Sequence, residues 1–326
     1  MKTLKLMTLA ALCGTMSATA QINFMDCFTN PTWHECASDM NTAQVLEFDD
    51  IIRPVNYTKD VVYIASCGVA LTLQILSQEN VGSTDGLQPC VVFIPGSAWM
   101  KQNVYSRVTT MSQFARLGYV VAIVEYTHSG LAAFPAPLKD VKAAIRYMRK
   151  NADKYGVDAN NIFVWGDSSG GHLSLMAAFT NGLQEYEPDL YNEISDDVNA
   201  CVAYYGVTDI RAIHGDPCST STGGADSPEG MLMGNRDVES CPDESDVASP
   251  VSYVSTERSI PPVMIAVGTC DHIVPFSQSE SLARKLESEG KTYQYYVLKG
   301  ADHGSWQFWT PQMFKNVDTF FKQYIK

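Results

Sequence analysis

The stretch Gly166-Asp167-Ser168-Ser169-Gly170-Gly171-His172 lies between an apolar run, 161–165, and an Ala- and Leu-rich stretch, 173–178. A Gly-x-Ser-x-Gly pentad between a strand and a helix is the setting in which a serine becomes a nucleophile. Glycines suit this turn because it is too sharp to accommodate a Cβ on either side. The turn raises the Ser168 hydroxyl at the top of a sheet, where a helix dipole favours negative charge. Because glycine-rich turns also serve packing alone, this interpretation depends on the partners downstream.

Two partners for such a serine follow in the chain order serine, acid, histidine. A serine hydroxyl needs a histidine to accept its proton, and the histidine needs a carboxylate to fix its tautomer. Asp271 follows the buried-strand run Val263–Gly268, and His303 follows the next such run, Tyr293–Leu298. We call the sharp strand-to-helix turn around Ser168 the elbow. In folds with such an elbow, both partners lie on loops that follow strands. The sequence therefore predicts a catalytic triad of Ser168, Asp271 and His303.

Other residues compete for these roles. His272 directly follows the predicted acid and is the main rival histidine, whereas His172 begins the helix after the elbow and is expected to pack. Asp302 is adjacent to the predicted histidine, so its side chain should point elsewhere. Asp209 follows an earlier strand and is the second choice of acid.

An oxyanion hole needs backbone N–H groups where the carbonyl oxygen becomes negative. One donor should be the N–H of Ser169, directly after the nucleophile. The others should lie on the loop after the apolar run 91–94, which reads Pro95-Gly96-Ser97-Ala98-Trp99. We expect the N–H groups of Ser97 and Ala98 to serve. Trp99 and Trp306 are candidate substrate contacts, and the alternative for Trp99 is a position in the core.

These motifs, with several others, carry a family resemblance from about residue 57 to the C-terminus. The others are Phe134-Pro135-Ala136-Pro137-Leu138, Ala248-Ser249-Pro250, Asp271-His272-Ile273-Val274-Pro275 and Asp302-His303-Gly304. The chain resembles the α/β-hydrolase esterases, in particular bacterial feruloyl and acetyl (xylan) esterase-like enzymes near the hormone-sensitive-lipase-like group. The resemblance implies an α/β-hydrolase fold and hydrolysis of a small ester or an acylated polysaccharide without a cofactor. By family analogy the substrate is an acetyl or feruloyl group on xylan-type polysaccharide.

The chain departs from the family pattern at two places. The oxyanion loop of the family usually reads His-Gly-Gly-Gly-Trp, and its later Tyr-Arg pair is here Tyr126-Thr127. Two other functions stay open. A serine peptidase of the prolyl-oligopeptidase type shares the triad order but normally carries a large additional domain. A catalytically inactive α/β-hydrolase could act as a binding module, although an intact triad argues against it.

Helix and strand patterns alternate from about residue 61 onward, which predicts a mostly parallel sheet covered by helices on both faces. The chain opens with Met1-Lys2-Thr3-Leu4-Lys5, an apolar stretch and Ala18-Thr19-Ala20. This pattern predicts a secretory signal peptide over 1–20 and a periplasmic or secreted protein. We expect an N-terminal extension over 21–56 and a catalytic domain over 57–326, with an insertion around 209–255 that is either an overhang at the active-site mouth or a solvated loop.

The formal net charge of −13 argues against nucleic acid or an anionic membrane as a partner. It is compatible with neutral polysaccharides and small esters. An oxidising compartment permits disulfides, and the cysteines that bracket short loops predict the pairs Cys27–Cys36 and Cys218–Cys241, although sequence does not determine connectivity. No cysteine has the spacing of a metal site, so no metal is expected. The oligomeric state stays open.

Overall fold

Eight strands rich in β-branched and aromatic residues build one sheet. The computed structural model describes residues 54–66, 69–78 and 86–326. The strands are β1 Val55–Ser66, β2 Val69–Gln78, β3 Gln88–Ile94, β4 Val120–Val124, β5 Val157–Asp167, β6 Cys201–Tyr204, β7 Val263–Gly268 and β8 Tyr293–Leu298. β4, β6 and β7 are buried along their whole length, as expected for strands covered on both faces.

The strand order across the sheet is β1-β2-β4-β3-β5-β6-β7-β8. β2 pairs antiparallel with β1 and β4, and every pair from β4 to β8 is parallel. The predicted mostly parallel sheet is therefore confirmed. Because the carboxyl ends of parallel strands meet at one edge, this topology gathers the loops after β3, β5, β7 and β8 at the same edge of the sheet.

Helices cover both faces of the sheet. They are α1 Val108–Ala115, α2 Ala136–Lys150, α3 Ala152–Tyr155, α4 Ser169–Phe179, α5 Pro228–Leu232, α6 Pro242–Val247, α7 Phe276–Ser288 and α8 Pro311–Lys322. One apolar core includes buried residues of α2, α4 and α7, such as Leu138, Leu173 and Leu282. The other includes residues of α1 and α8, such as Phe114 and Phe320. The fold is thus a three-layer α/β architecture.

The segment between β6 and β7 is packed and is not a solvated loop. It contains α5, α6 and the 3₁₀ turns Val238–Ser240 and Pro250–Tyr253. The N–H of Ile210 donates to Ser249 Oγ at 2.8 Å, and the N–H of Thr208 donates to Gln278 Oε1 on α7 at 2.8 Å. The first bond joins the start of the segment to its end, and the second ties the start to α7.

The cysteines within this segment do not pair. Cys218 is exposed, Cys241 is buried, and both are free thiols in the described part of the chain. The predicted Cys218–Cys241 disulfide is therefore wrong, because bracketing a polar segment in sequence does not bring two side chains together. Instead the Cys241 thiol donates to the Asp237 carbonyl oxygen at 3.3 Å.

Several predictions concern the N-terminal region. The predicted signal peptide, the Cys27–Cys36 pair and all but the last residues of the predicted extension lie outside the described residues. A compact unit spans residues 52–326, and its first strand begins at Val55. Within 54–66, 69–78 and 86–326, no helix combines the length and apolar character needed to cross a bilayer.

Candidate active site

The turn between β5 and α4 presents Ser168. This residue has φ 53° and ψ −124°, a conformation that costs strain in any residue with a Cβ. Its glycine neighbours are required by close backbone approach, since a Cβ at Gly170 would lie 1.9 Å from the Ile94 carbonyl oxygen. A Cβ at Gly166 would lie 2.2 Å from the Gly170 carbonyl oxygen. The packing of β3, β5 and α4 therefore holds the serine in its strained turn.

The loops after β7 and β8 bring an acid and a histidine to this serine. His303 Nε2 lies 2.8 Å from Ser168 Oγ, and His303 Nδ1 lies 2.8 Å from Asp271 Oδ2. Because a carboxylate only accepts, the imidazole carries its proton on Nδ1, and Nε2 is left to accept the serine O–H. The structure thus places the three predicted residues in one hydrogen-bonded chain.

The surroundings of Asp271 fix the direction of its carboxylate. The residue is buried, with 4 % of its surface exposed. Oδ1 accepts the backbone N–H groups of Ile273 at 3.0 Å and Val274 at 2.9 Å, so that Oδ2 remains for the histidine. The tight turn after Asp271 is therefore the local reason that the carboxylate points to His303.

The rival residues lie in other environments. The His272 side chain is 62 % exposed, and its Nδ1 lies 2.7 Å from Asp302 Oδ1. Asp209 Oδ1 accepts the N–H groups of Arg211 and Ala212 in its own turn. The structure brings none of these side chains within hydrogen-bond distance of Ser168 Oγ, which contacts His303 instead.

The loop after β3 approaches the elbow in an unusual conformation. Ala98 has φ 54° and Trp99 has φ 55°, two successive left-handed residues without a glycine. The N–H of Ser97 donates to Ser169 Oγ at 2.9 Å. This bond corrects the prediction that the Ser97 N–H faces a substrate oxygen, because a side chain already occupies it. The N–H groups of Ala98 and Ser169 find no acceptor among the described residues.

The two tryptophans predicted to contact substrate differ sharply. Trp99 is 1 % exposed, and its indole N–H donates to Nδ1 of buried His172 at 3.0 Å. The prediction that Trp99 contacts substrate is corrected by this burial, and the alternative of a core position describes it. Trp306 is 73 % exposed and lies three residues after His303. Of the two tryptophans, Trp306 is therefore the one whose ring is open to solvent.

Sequence reasoning missed a role for Asp167, the residue before the nucleophile. This carboxylate is 3 % exposed and accepts the N–H of Gly96 at 2.8 Å, the guanidinium of Arg107 at 2.7 Å and the Tyr205 hydroxyl at 3.2 Å. It thereby ties the β3 loop to the elbow. The available signal was a carboxylate at the end of a buried strand, which needs a cation and hydrogen-bond donors as compensation.

Tyr126 also holds the loop after β3. It is the first residue of the Tyr126-Thr127 pair, which stands where the family usually has Tyr-Arg. Its hydroxyl lies 3.0 Å from Ser97 Oγ and 3.2 Å from Ser169 Oγ. Burial raises the pKa of Tyr126 to about 12, so the phenol stays protonated at neutral pH. In place of an arginine contact, the Thr127 N–H donates to the Asp140 carboxylate at 2.8 Å, and burial raises the pKa of Asp140.

Comparison with known proteins places this geometry in a family. A family model described as BD-FAE matches residues 75–286, more than half of the chain. The chain belongs to the BD-FAE family. The family resemblance read from the motifs and the α/β-hydrolase fold are both confirmed. In this chain Ser168, Asp271 and His303 follow β5, β7 and β8, respectively.

Individual relatives of this BD-FAE chain include esterases. It is 31% identical over 219 residues to Esterase LipC of Mycobacterium tuberculosis, covering 66% of this chain and 53% of LipC. The chain spans about half the length of the curated relatives it matches.

Similar solved structures cover most of this chain. One is a truncated form of a carbohydrate esterase from gut microbiota, with a TM-score of 0.75 and 28% identity, covering 84% of this chain and 97% of that one. Another is a bifunctional GH43-CE protein of Bacteroides eggerthii, with a TM-score of 0.72 and 28% identity, covering 86% of this chain and 39% of that one.

Proposed function

We propose that the protein is a serine carboxylic ester hydrolase. The observation that carries the proposal is the hydrogen-bonded chain from Ser168 through His303 to Asp271, with both distances at 2.8 Å. In the proposed reaction, His303 Nε2 accepts the hydroxyl proton as Ser168 Oγ attacks the ester carbonyl carbon. Asp271 holds the imidazole tautomer and stabilises the imidazolium that forms.

The negative oxygen of the tetrahedral intermediate needs donors beside the nucleophile. We assign this role to the backbone N–H groups of Ala98 and Ser169, which are not used by acceptors in the described part of the chain. One such donor is worth roughly 10²–10³ in rate where it has been removed in other hydrolases. The Ser97 N–H, bonded to Ser169 Oγ, fixes the loop instead.

Three proton transfers complete the turnover. The imidazolium of His303 gives its proton to the leaving alcohol as the carbonyl bond to that oxygen breaks, and an acyl group stays on Ser168. Water then attacks the acyl carbon while His303 takes a proton from it, and Ser168 leaves with that proton. Each step uses groups of the protein, the ester and water.

The proposed substrate is a short acyl group, acetyl or feruloyl, on a xylan-type polysaccharide or a related ester. The exposed ring of Trp306 close after His303 supplies an apolar surface on which a sugar or a ferulate ring can lie. Two similar structures are those of a carbohydrate esterase and of a bifunctional GH43-CE protein. A secreted or periplasmic location, proposed from the leader-like N-terminus, would give the enzyme access to such polymers.

The activity is tested by the release of p-nitrophenol from p-nitrophenyl acetate. Wild-type protein is expected to turn over, and Ser168→Ala and His303→Gln to lose roughly 10⁴-fold or more in kcat. His272→Gln is the matched control, because this histidine is exposed and bonded to Asp302. Wild-type-like turnover by folded Ser168→Ala would show that the nucleophile is assigned wrongly.

The substrate class is tested with Trp306→Ala. We expect KM for acetylated xylo-oligosaccharides to rise about tenfold, which corresponds to about 1.4 kcal/mol, while ethyl acetate, which lacks a ring, changes little. Ile325→Ala, another exposed apolar side chain, is the control. Methyl ferulate in the same assay separates a feruloyl from an acetyl preference, and equal KM values for the sugar ester in all three proteins would contradict the role of Trp306.

A further inference from the structure

The strained loop after β3 needs something to hold it. Left-handed backbone costs a residue with a Cβ roughly 1 kcal/mol, and Ala98 and Trp99 both adopt it, at φ 54° and 55°. The N-terminal side of this pair is fixed at Ser97, whose N–H donates to Ser169 Oγ and whose hydroxyl donates to the Met100 carbonyl oxygen at 2.6 Å. The Met100 N–H donates to the Ser97 carbonyl oxygen at 3.0 Å and so closes a tight turn around the pair. The position of this turn relative to the nucleophile then depends also on how Trp99 is held.

Trp99 is held by its side chain and by its carbonyl group. The indole N–H donates to His172 Nδ1 at 3.0 Å, and the two rings meet edge to face at 5.1 Å between centroids. The Trp99 carbonyl oxygen accepts the Ser129 N–H at 2.9 Å. The indole bond is the one that reaches the helix of the nucleophile, because His172 lies on α4, four residues after Ser168.

His172 accepts the indole bond of Trp99 at Nδ1, and its other ring nitrogen fixes this role. It is fully buried, and its Nε2 lies 2.8 Å from the Ala248 carbonyl oxygen. A carbonyl oxygen only accepts, so Nε2 carries the proton and Nδ1 is bare. Burial lowers the pKa of His172 to about 4, which keeps the ring neutral at neutral pH.

We propose that His172 is a positioning residue of the oxyanion hole: through its bond to the Trp99 indole it holds the left-handed pair and so aims the Ala98 N–H at the developing oxyanion. This inference rests on the proposed esterase function. His172 does not touch the substrate, so losing its bond should impair stabilisation of the transition state more than binding of the ester.

Two amide substitutions separate the two bonds of His172. The Oδ1 atom of an asparagine overlays Nδ1 of histidine, so His172→Asn keeps an acceptor for Trp99 and loses the donor to Ala248. The side-chain N–H of a glutamine reaches the position of Nε2, so His172→Gln keeps the donor to Ala248 and loses the acceptor. Both variants remove one buried hydrogen bond, and they are matched in chemistry and differ in which bond survives.

The expected result is a split between kcat and KM. With p-nitrophenyl acetate, His172→Gln should lower kcat by roughly 10- to 100-fold with KM within about twofold, because a misplaced donor costs less than a deleted one. His172→Asn should recover most of that loss. Affinity for a trifluoromethyl ketone, which forms a tetrahedral adduct, should fall in parallel with kcat/KM.

Trp99→Phe provides a second route to the same bond and covers the case in which His172→Gln folds poorly. It should reproduce the kcat loss of His172→Gln, and the double variant should be no worse than either single variant, since both remove one interaction. Additive losses in the double variant would overturn the proposal.

The outcomes distinguish this inference from the proposed function. Wild-type protein without ester turnover would overturn both. An active wild type with inactive Ser168→Ala, combined with unchanged kcat in folded His172→Gln, would overturn the positioning role alone. Equal kcat losses in His172→Asn and His172→Gln would also overturn it, because a general loss of packing would affect both variants alike.

Discussion

Acidification should destabilise the fold through one buried histidine, His172. Its ring makes both of its hydrogen bonds only in the neutral form, because Trp99 donates to Nδ1 and the Ala248 carbonyl oxygen accepts from Nε2. A proton on Nδ1 would face the indole N–H. Burial lowers the pKa of His172 from its ordinary 6.5 to about 4 in the folded protein.

The sign and the size follow from linkage between proton binding and folding. Between pH 6.5 and about 4 the unfolded chain binds a proton at this residue and the folded protein does not. The free energy of unfolding therefore rises with pH in this window; the contribution is complete above 6.5 and is lost as the pH falls towards 4. At about 1.4 kcal/mol per pKa unit, the gap corresponds to about 3 kcal/mol.

The assay is urea unfolding of wild type and His172→Gln at pH 7.5, 5.5 and 4, followed by tryptophan fluorescence. Other titrating groups contribute to both proteins and cancel in the difference. We expect wild type to be the more stable at pH 7.5 and its advantage to shrink by about 3 kcal/mol by pH 4. A difference that stays constant with pH would refute the assignment of a neutral, desolvated His172.

Three further perturbations have defined outcomes. Asp271→Asn should lower kcat by roughly 10³- to 10⁴-fold, because His303 would adopt the wrong tautomer. Asp209→Asn should change kcat less than about threefold, because the Asp209 carboxylate caps its own turn. Equal losses of kcat in the two variants would contradict the assignment of Asp271 as the catalytic acid. Alkylation of the native protein followed by peptide mapping should label exposed Cys218 and spare buried Cys241, and recovery of a disulfide-linked peptide would contradict the free thiols. Lys142→Met should destabilise by about 1–3 kcal/mol in thermal or urea unfolding, because the buried Asp196 carboxylate loses the ammonium at 2.8 Å and keeps only the Arg146 guanidinium at 3.1 Å; unchanged stability would show that Lys142 does not compensate this carboxylate.

The fold and the three residues of the proposed triad could be predicted because both depend on local patterns. Apolar runs mark the strands, and the ends of neighbouring parallel strands meet at one edge, so the order of Ser168, Asp271 and His303 along the chain already implies their proximity. The glycines around the serine added a backbone constraint that the close contacts of Gly170 with β3 explain.

The features that could not be predicted depend on side chains that are distant in sequence. Whether the Ser97 N–H is free depends on Ser169 Oγ, 72 positions away, and the burial of Trp99 depends on His172, 73 positions away. Periodicity carries no information about such contacts. The Cys218–Cys241 pairing failed for the same reason, since spacing alone says nothing about where two thiols point.

Covalent labelling of the nucleophile tests the central claim most directly. A p-nitrophenyl phosphonate ester reacts with an activated serine and leaves a stable tetrahedral adduct that fills the oxyanion hole. Intact-mass analysis and peptide mapping should find one adduct per chain, on Ser168, formed in parallel with the loss of ester hydrolysis and absent from Ser168→Ala. An adduct on another residue that abolishes hydrolysis, or full labelling of the Ser168→Ala protein, would contradict the account.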